Sequence, residues 1–172
     1  MKISIFVNKL VDRLKKEKTF ELILKNIEKD KITWDEAARN KIGLIVKSVF
    51  QELFPEENIK EAVNIEGEGI PFKRYSLFGS SGQYPDIRIL KPYRIAIELD
   101  HFGRKDGNPG SGFKTALAKA AFGYLSGDYD YCIVLFHNHT GKFMEPYLKE
   151  EKEQRILNFY QENFHTQIFL FE

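Results

Sequence analysis

Residues 84–101 read YPDIRILKPYRIAIELDH, and the fold turns on how this stretch pairs. Side chains alternate along a strand, so Ile87 and Ile89 point one way while Asp86, Arg88 and Leu90 point the other. In the second run Ile95, Ile97 and Leu99 alternate with Arg94, Ala96, Glu98 and Asp100. Lys91, Pro92 and Tyr93 join the runs, and a proline, which cannot donate to a ladder, suits that turn. A hairpin closing there sets Leu90 opposite Arg94, Arg88 opposite Ala96 and Asp86 opposite Glu98. Opposed residues share a face with Cβ atoms roughly 5 Å apart, so Asp86, Glu98 and Asp100 gather at the open end. Like charges held so closely are relieved by a proton or a cation. Mg²⁺ takes one or two carboxylates with water and phosphate oxygens, which makes a divalent metal the expected resident.

Pro85-Asp86 followed, after an apolar strand, by Glu98-Leu99-Asp100 resembles the motif of the PD-(D/E)XK nuclease superfamily, which includes restriction enzymes and archaeal Holliday junction resolvases. The resemblance implies a restriction-endonuclease-like α/β fold, a three-layer sandwich around a central mixed β-sheet. It implies a Mg²⁺- or Mn²⁺-dependent endonuclease acting on DNA, with Asp86, Glu98 and Asp100 as catalytic and metal-holding acids. Asp100 stands where the superfamily carries its lysine; some members of the resembled superfamily carry an acid there, and others supply the lysine from elsewhere. Lys114 is the leading candidate, with Lys105 and Arg104 as competitors that also suit substrate binding. By the same resemblance Glu36 adds an acid to the metal site from the first core helix, and Ser80 or Ser81 lies at the substrate. The missing motif lysine also leaves a second reading, a protein of this fold that binds nucleic acid or a partner without cutting.

Length and charge bound these readings. A chain of 172 residues reads as one domain, 1–172, with an N-terminal helical elaboration over 1–32, a core over 33–137 and a C-terminal helix and strand over 138–172. With 26 Lys and Arg against 25 Asp and Glu, no global basic field announces a nucleic-acid partner, and local patches must carry DNA binding. Cutting two strands calls for a homodimer. The lone Cys132 excludes an internal disulfide and reads as a small buried thiol. Asn8 and Lys9 interrupt the first apolar run, and nothing approaches the roughly 20 apolar residues of a membrane span, so the expectation is a cytoplasmic protein without a membrane partner.

Helical spacing over 3–29 predicts two short amphipathic helices, or one interrupted near residues 16–19, and their lysines read as a solvated face. Thr33 and Glu36 have the spacing of a capping box opening a helix to about Phe54. Residues 59–65 and 71–78 read as strands. Residues 78–83 form a Gly/Ser loop, and 101–110 a glycine-rich loop bearing Arg104 and Lys105. A helix over 112–125 turns Leu117, Ala120, Ala121 and Tyr124 inward, with Lys114 on the flank and Lys119 on the polar side. Residues 129–136 read as a buried central strand. His137 and His139 follow; with His101 they raise a zinc hydrolase as a third possibility, and a strand-end loop as the simpler one. Residues 144–164 read as one amphipathic helix with Tyr147, Leu148, Ile156, Leu157, Phe159 and Tyr160 inward, and 167–171 as a final strand. A structural alternative for the acids pairs Glu98 and Asp100 with Arg88 and Arg94.

Overall fold

A computed structural model describes residues 2–68, 85–103, 109–142 and 144–172. The protein is mixed α/β, with an antiparallel strand pair, a set of parallel strands, and helices. The chain divides into two compact units. One holds residues 1–70 and 87–93, the other 71–86 and 94–172. The strand expected over 71–78 and the loop over 78–83 lie outside the described residues, as do Arg104 and Lys105.

The first unit is built on three helices, α1 (Lys2–Lys16), α2 (Thr19–Asp30) and α3 (Trp34–Leu53). Lys18, in the left-handed region at φ 50°, separates α1 from α2, so the doubtful stretch near 16–19 resolves as two helices. Thr33 caps α3, its Oγ1 accepting the Glu36 N–H at 3.2 Å, as the capping-box spacing predicts. Phe6, Leu10 and Leu14 of α1 and Ile42, Val46, Val49 and Phe50 of α3 are buried, the 3.6-residue stripe that makes each helix amphipathic. Basic residues on the polar faces meet acids: Lys9 and Arg13 both reach Glu52 at 2.6 Å, and Lys41 pairs with Glu17 at 3.8 Å.

The strand expected over 59–65 is mostly a helical turn, α4 (Ile59–Ala62), followed by a short β1 (Val63–Ile65). Asn58 supplies the reason, since its side-chain oxygen accepts the Lys60 N–H at 3.2 Å and starts a turn where alternation alone suggests a strand. β1 pairs antiparallel with β2 (Ile87–Ile89) in the register Val63 to Ile89 and Ile65 to Ile87. These four apolar side chains are buried on one face, and Arg88 Nε donates to Asn64 Oδ1 at 3.1 Å on the other.

Gly43 of α3 lies against Ile65. A methyl added at Gly43 would meet Ile65 Cδ1 at 2.3 Å and Cγ1 at 3.1 Å. Overpacking of this kind costs about 1–3 kcal/mol against up to about 1 kcal/mol gained in helix propensity. Gly43→Ala is therefore expected to lower the denaturant midpoint; a raised midpoint would refute this packing.

The second unit carries β3 (Ile95–Phe102), α5 (Pro109–Leu125), β4 (Tyr131–Asn138), α6 (Glu145–Leu148), α7 (Glu151–Phe164) and β5 (Thr166–Phe171). β3, β4 and β5 are parallel neighbours, β4 in the middle, joined by helical crossovers as parallel strands require. The central strand over 129–136 is shifted two residues along the chain, because Arg94 pairs with Asp130 and donates to Gly127 O at 3.1 Å, fixing residues 127–130 as the approach to β4. Ala96, Cys132, Val134 and Phe136 on one sheet face pack with Phe113, Ala116, Leu117 and Ala120 of α5. Burial pushes the Cys132 thiol up to about 12, with nearby Glu98 adding to the shift, so the cysteine is an inert core residue.

The helix expected over 144–164 is two helices, α6 and α7, meeting at Lys149 and Glu150. Leu148, Leu157 and Tyr160 pack on the core as expected, whereas Tyr147 (64% exposed), Ile156 and Phe159 (52%) face outward. The break at 149–150 resets the phase between Tyr147 and α7, and within α7 the packed stripe through Leu157 and Tyr160 is narrower than expected, leaving Ile156 and Phe159 outside it. Among the described residues no helix is long and apolar enough to cross a membrane.

Candidate active site

Strand alternation brings Glu98 and Asp100 to the same face of β3 as Ala96, the face that α5 covers. Glu98 is 2% exposed. Asp86 approaches from the segment before β2, its Oδ2 accepting the Leu99 N–H at 2.8 Å, one residue from Glu98. Asp100 Oδ1 accepts the N–H of His101 at 2.8 Å and its Oδ2 receives Lys119 Nζ at 3.5 Å. Among the described residues Lys119 is thus the lysine that reaches the acids, from the third turn of α5.

The electrostatics of Lys119 register the whole cluster. Burial disfavours its ammonium, but Asp100, Glu98 and Asp86, in that order, together with the Asp100 hydrogen bond, outweigh burial and hold its pKa above the ordinary lysine value. All three acids of the 84–101 stretch therefore act on one cation. Asp86 comes to this cluster through its bond to the Leu99 N–H, from outside β2.

Lys114 is exposed on α5, and among the described residues it is Lys119 that bonds Asp100. A helical wheel centred on Phe113 puts Lys119 with Thr115 on the polar side. The packed face is centred on Ala116 and Ala120, both fully buried, and Lys119 borders it. Two alanines let the strand approach closely, and a lysine on such a flank extends its stem over the packed surface and delivers the ammonium beyond it. The signal in the sequence is the small-residue pair three before and one after the lysine.

Glu36 lies exposed in the first turn of α3, in the first unit, where its N–H completes the Thr33 cap. Ser80, Ser81, Arg104 and Lys105 lie outside the described residues. Arg94 is engaged by Asp130, and Arg88 by Asn64, as described above.

A second cluster forms on the other face of β3. The parallel register sets His101 beside His137, and His139 stacks on both, ring centroids 5.5 Å from His101 and 4.9 Å from His137. His101 Nδ1 and His139 Nε2 are 3.3 Å apart, a hydrogen bond whose donor is set by the ring tautomers. Gly103 makes room for this stack, since a Cβ there would lie 2.3 Å from the His139 ring. Burial first, then His139 and His101, pushes the His137 pKa down to about 3. These histidines sit against each other, on the face opposite Asp100.

No family model, curated protein or solved structure matches the chain. The reading of the site therefore rests on its chemistry. Among the described residues no group of three or more His, Cys, Asp or Glu side chains is arranged to hold a metal ion. Mg²⁺ asks for less, one or two carboxylates with the remaining positions filled by water and phosphate. Asp86 and Glu98 offer hard oxygen donors of that kind in one place, so the donor set fits a hard divalent cation and does not suit a soft one.

Proposed function

We propose that the protein is a divalent-metal-dependent endonuclease that hydrolyses phosphodiester bonds in DNA, built as a restriction-endonuclease-like three-layer sandwich and acting as a homodimer. The single observation that supports this reading is the convergence of Asp86, Glu98 and Asp100 on Lys119. Asp86 and Glu98 would hold Mg²⁺ or Mn²⁺. When bound, such an ion lowers the pKa of a water and offsets charge that builds on the phosphate.

The chain's own residues supply the rest. The neighbouring carboxylates keep Lys119 charged at neutral pH, and its partly exposed ammonium can meet a non-bridging oxygen of the scissile phosphate, where positive charge counts most in the transition state. The Leu99 N–H fixes one oxygen of Asp86, which orients the carboxylate before any substrate arrives. The near-neutral chain directs DNA recognition to local groups, with Arg104 and Lys105 following the acids in sequence.

Cleavage of duplex, branched and single-stranded DNA and of RNA, each with Mg²⁺, Mn²⁺ and EDTA, tests the proposal. Metal-dependent cutting of a DNA form is the expected result. DNA binding without cutting under every condition would favour the second reading, a non-catalytic protein of the same fold, which the acid at the motif's lysine position and the near-neutral charge motivate.

A further inference from the structure

We propose that Asp100 is a positioning residue that holds Lys119 in the site, leaving the dication to Asp86 and Glu98. The tether concerns this chain alone; the part played by the dication rests on the nuclease reading. Asp100 occupies the place that carries a lysine in the resembled motif, and it faces the same side of β3 as Glu98. Each of its oxygens already accepts from one donor, Oδ1 from the His101 N–H at 2.8 Å and Oδ2 from the Lys119 ammonium at 3.5 Å. A dication on that carboxylate would sit against the ammonium, and the repulsion between them would have to be overcome in every bound state.

The pair replaces a strand-borne lysine by a helix-borne one. Lys119 starts from α5, whose buried face packs on the same sheet face that carries Asp100, so its stem is supported by packing. Its side chain is 31% exposed and that of Asp100 20%, enough opening for the ammonium to meet a phosphate from solvent. Without Asp100 the lysine keeps its helix position but loses the contact that points it at the site. Asp100 therefore acts through Lys119 and touches no reacting atom.

Two measurements on the full chain separate this tether from a metal ligand. The first is acetic anhydride labelling of lysines read by mass spectrometry, with Lys114 on the same helix as the internal reference. Lys119 should label more slowly than Lys114 in the wild-type protein, and Asp100→Asn should remove most of that protection. Unchanged labelling of Lys119 in Asp100→Asn overturns the proposal.

The second is Mn²⁺ calorimetry beside cleavage kinetics. Asp100→Asn should leave Mn²⁺ affinity within about threefold, the effect of one screened neighbouring charge. It should lower kcat by about 10- to 100-fold with KM for DNA little changed, as loss of an orienting partner does. The exchange variant Asp100→Lys with Lys119→Asp keeps the charge and combined length of the pair, restores a strand lysine, and should recover part of the lost kcat. A fall in Mn²⁺ affinity of tenfold or more in both variants would make Asp100 a ligand and overturn the proposal. If Asp100→Asn fails to fold, the exchange variant carries the calorimetry, and Asp100→Ser the labelling. A wild-type protein that neither binds Mn²⁺ nor cleaves defeats the nuclease reading alone, because the labelling still decides the tether.

Discussion

Asp86→Ala is expected to lower metal-dependent DNA cleavage by at least about 10³-fold, to the background of the assay, while leaving the fold intact. Asp86 precedes β2, is half-buried and accepts the Leu99 N–H through Oδ2, so its removal leaves no fully enclosed cavity in a packed core. The amide of Leu99 then turns to water at modest cost, about 1 kcal/mol for a lost hydrogen bond. The functional loss is far larger, because one of the two carboxylates offered to the dication is gone and the charge around Lys119 falls with it. Cleavage rates of the two proteins under matched Mg²⁺, with melting curves to verify folding, check this. Undiminished cutting by Asp86→Ala would place the chemistry elsewhere.

A second large effect concerns acid stability and is independent of any substrate. His137 is 5% exposed, and burial, reinforced by His139 and His101, lowers its pKa from 6.5 to about 3. Below about pH 6.5 the unfolded chain protonates this histidine and the folded protein does not, so the unfolded state binds more protons and stability drops as pH falls. At about 1.4 kcal/mol per pH unit, roughly 3 kcal/mol is lost from this one group by about pH 4.5, and the loss levels off near the folded value of about 3. Above about pH 6.5 the group contributes no pH dependence. His137→Asn is therefore expected to flatten the stability profile between about pH 6.5 and 4 relative to wild type, measured by urea melts at each pH. Parallel profiles for the two proteins would show that His137 is not the group held neutral.

The acids were legible in the sequence and their cation was not, for one physical reason. Strand alternation is set by backbone geometry, so the spacing of Glu98 and Asp100 carries their shared side of β3 without knowledge of the partners. Lys119 depends on how α5 is rotated on its sheet. The packed face centres on Ala116 and Ala120, whereas Phe113 and Leu117 are the larger residues that draw the eye on a wheel. The three histidines were grouped in the sequence only as possible ligands, and their stacking on one another was not legible, for a similar reason. His101 and His137 are neighbours through the parallel β3–β4 register, which pairs residues 36 positions apart. Local side-chain competition explains the remaining differences: Asn58 turns the start of the expected 59–65 strand into a helical turn, and the break at Lys149 and Glu150 rephases the last helix.

The most direct test of the central claim is Mn²⁺ titration by calorimetry into the wild-type protein and Glu98→Gln. Glu98 is buried on the α5 side of β3 beside the other two acids, and glutamine keeps its shape while removing its charge. The wild-type protein should bind Mn²⁺ and Glu98→Gln should bind at least about tenfold more weakly, the loss expected when a ligand carboxylate is neutralised. Identical isotherms for the two proteins, or no binding by either, would contradict the assignment of these carboxylates as a metal site.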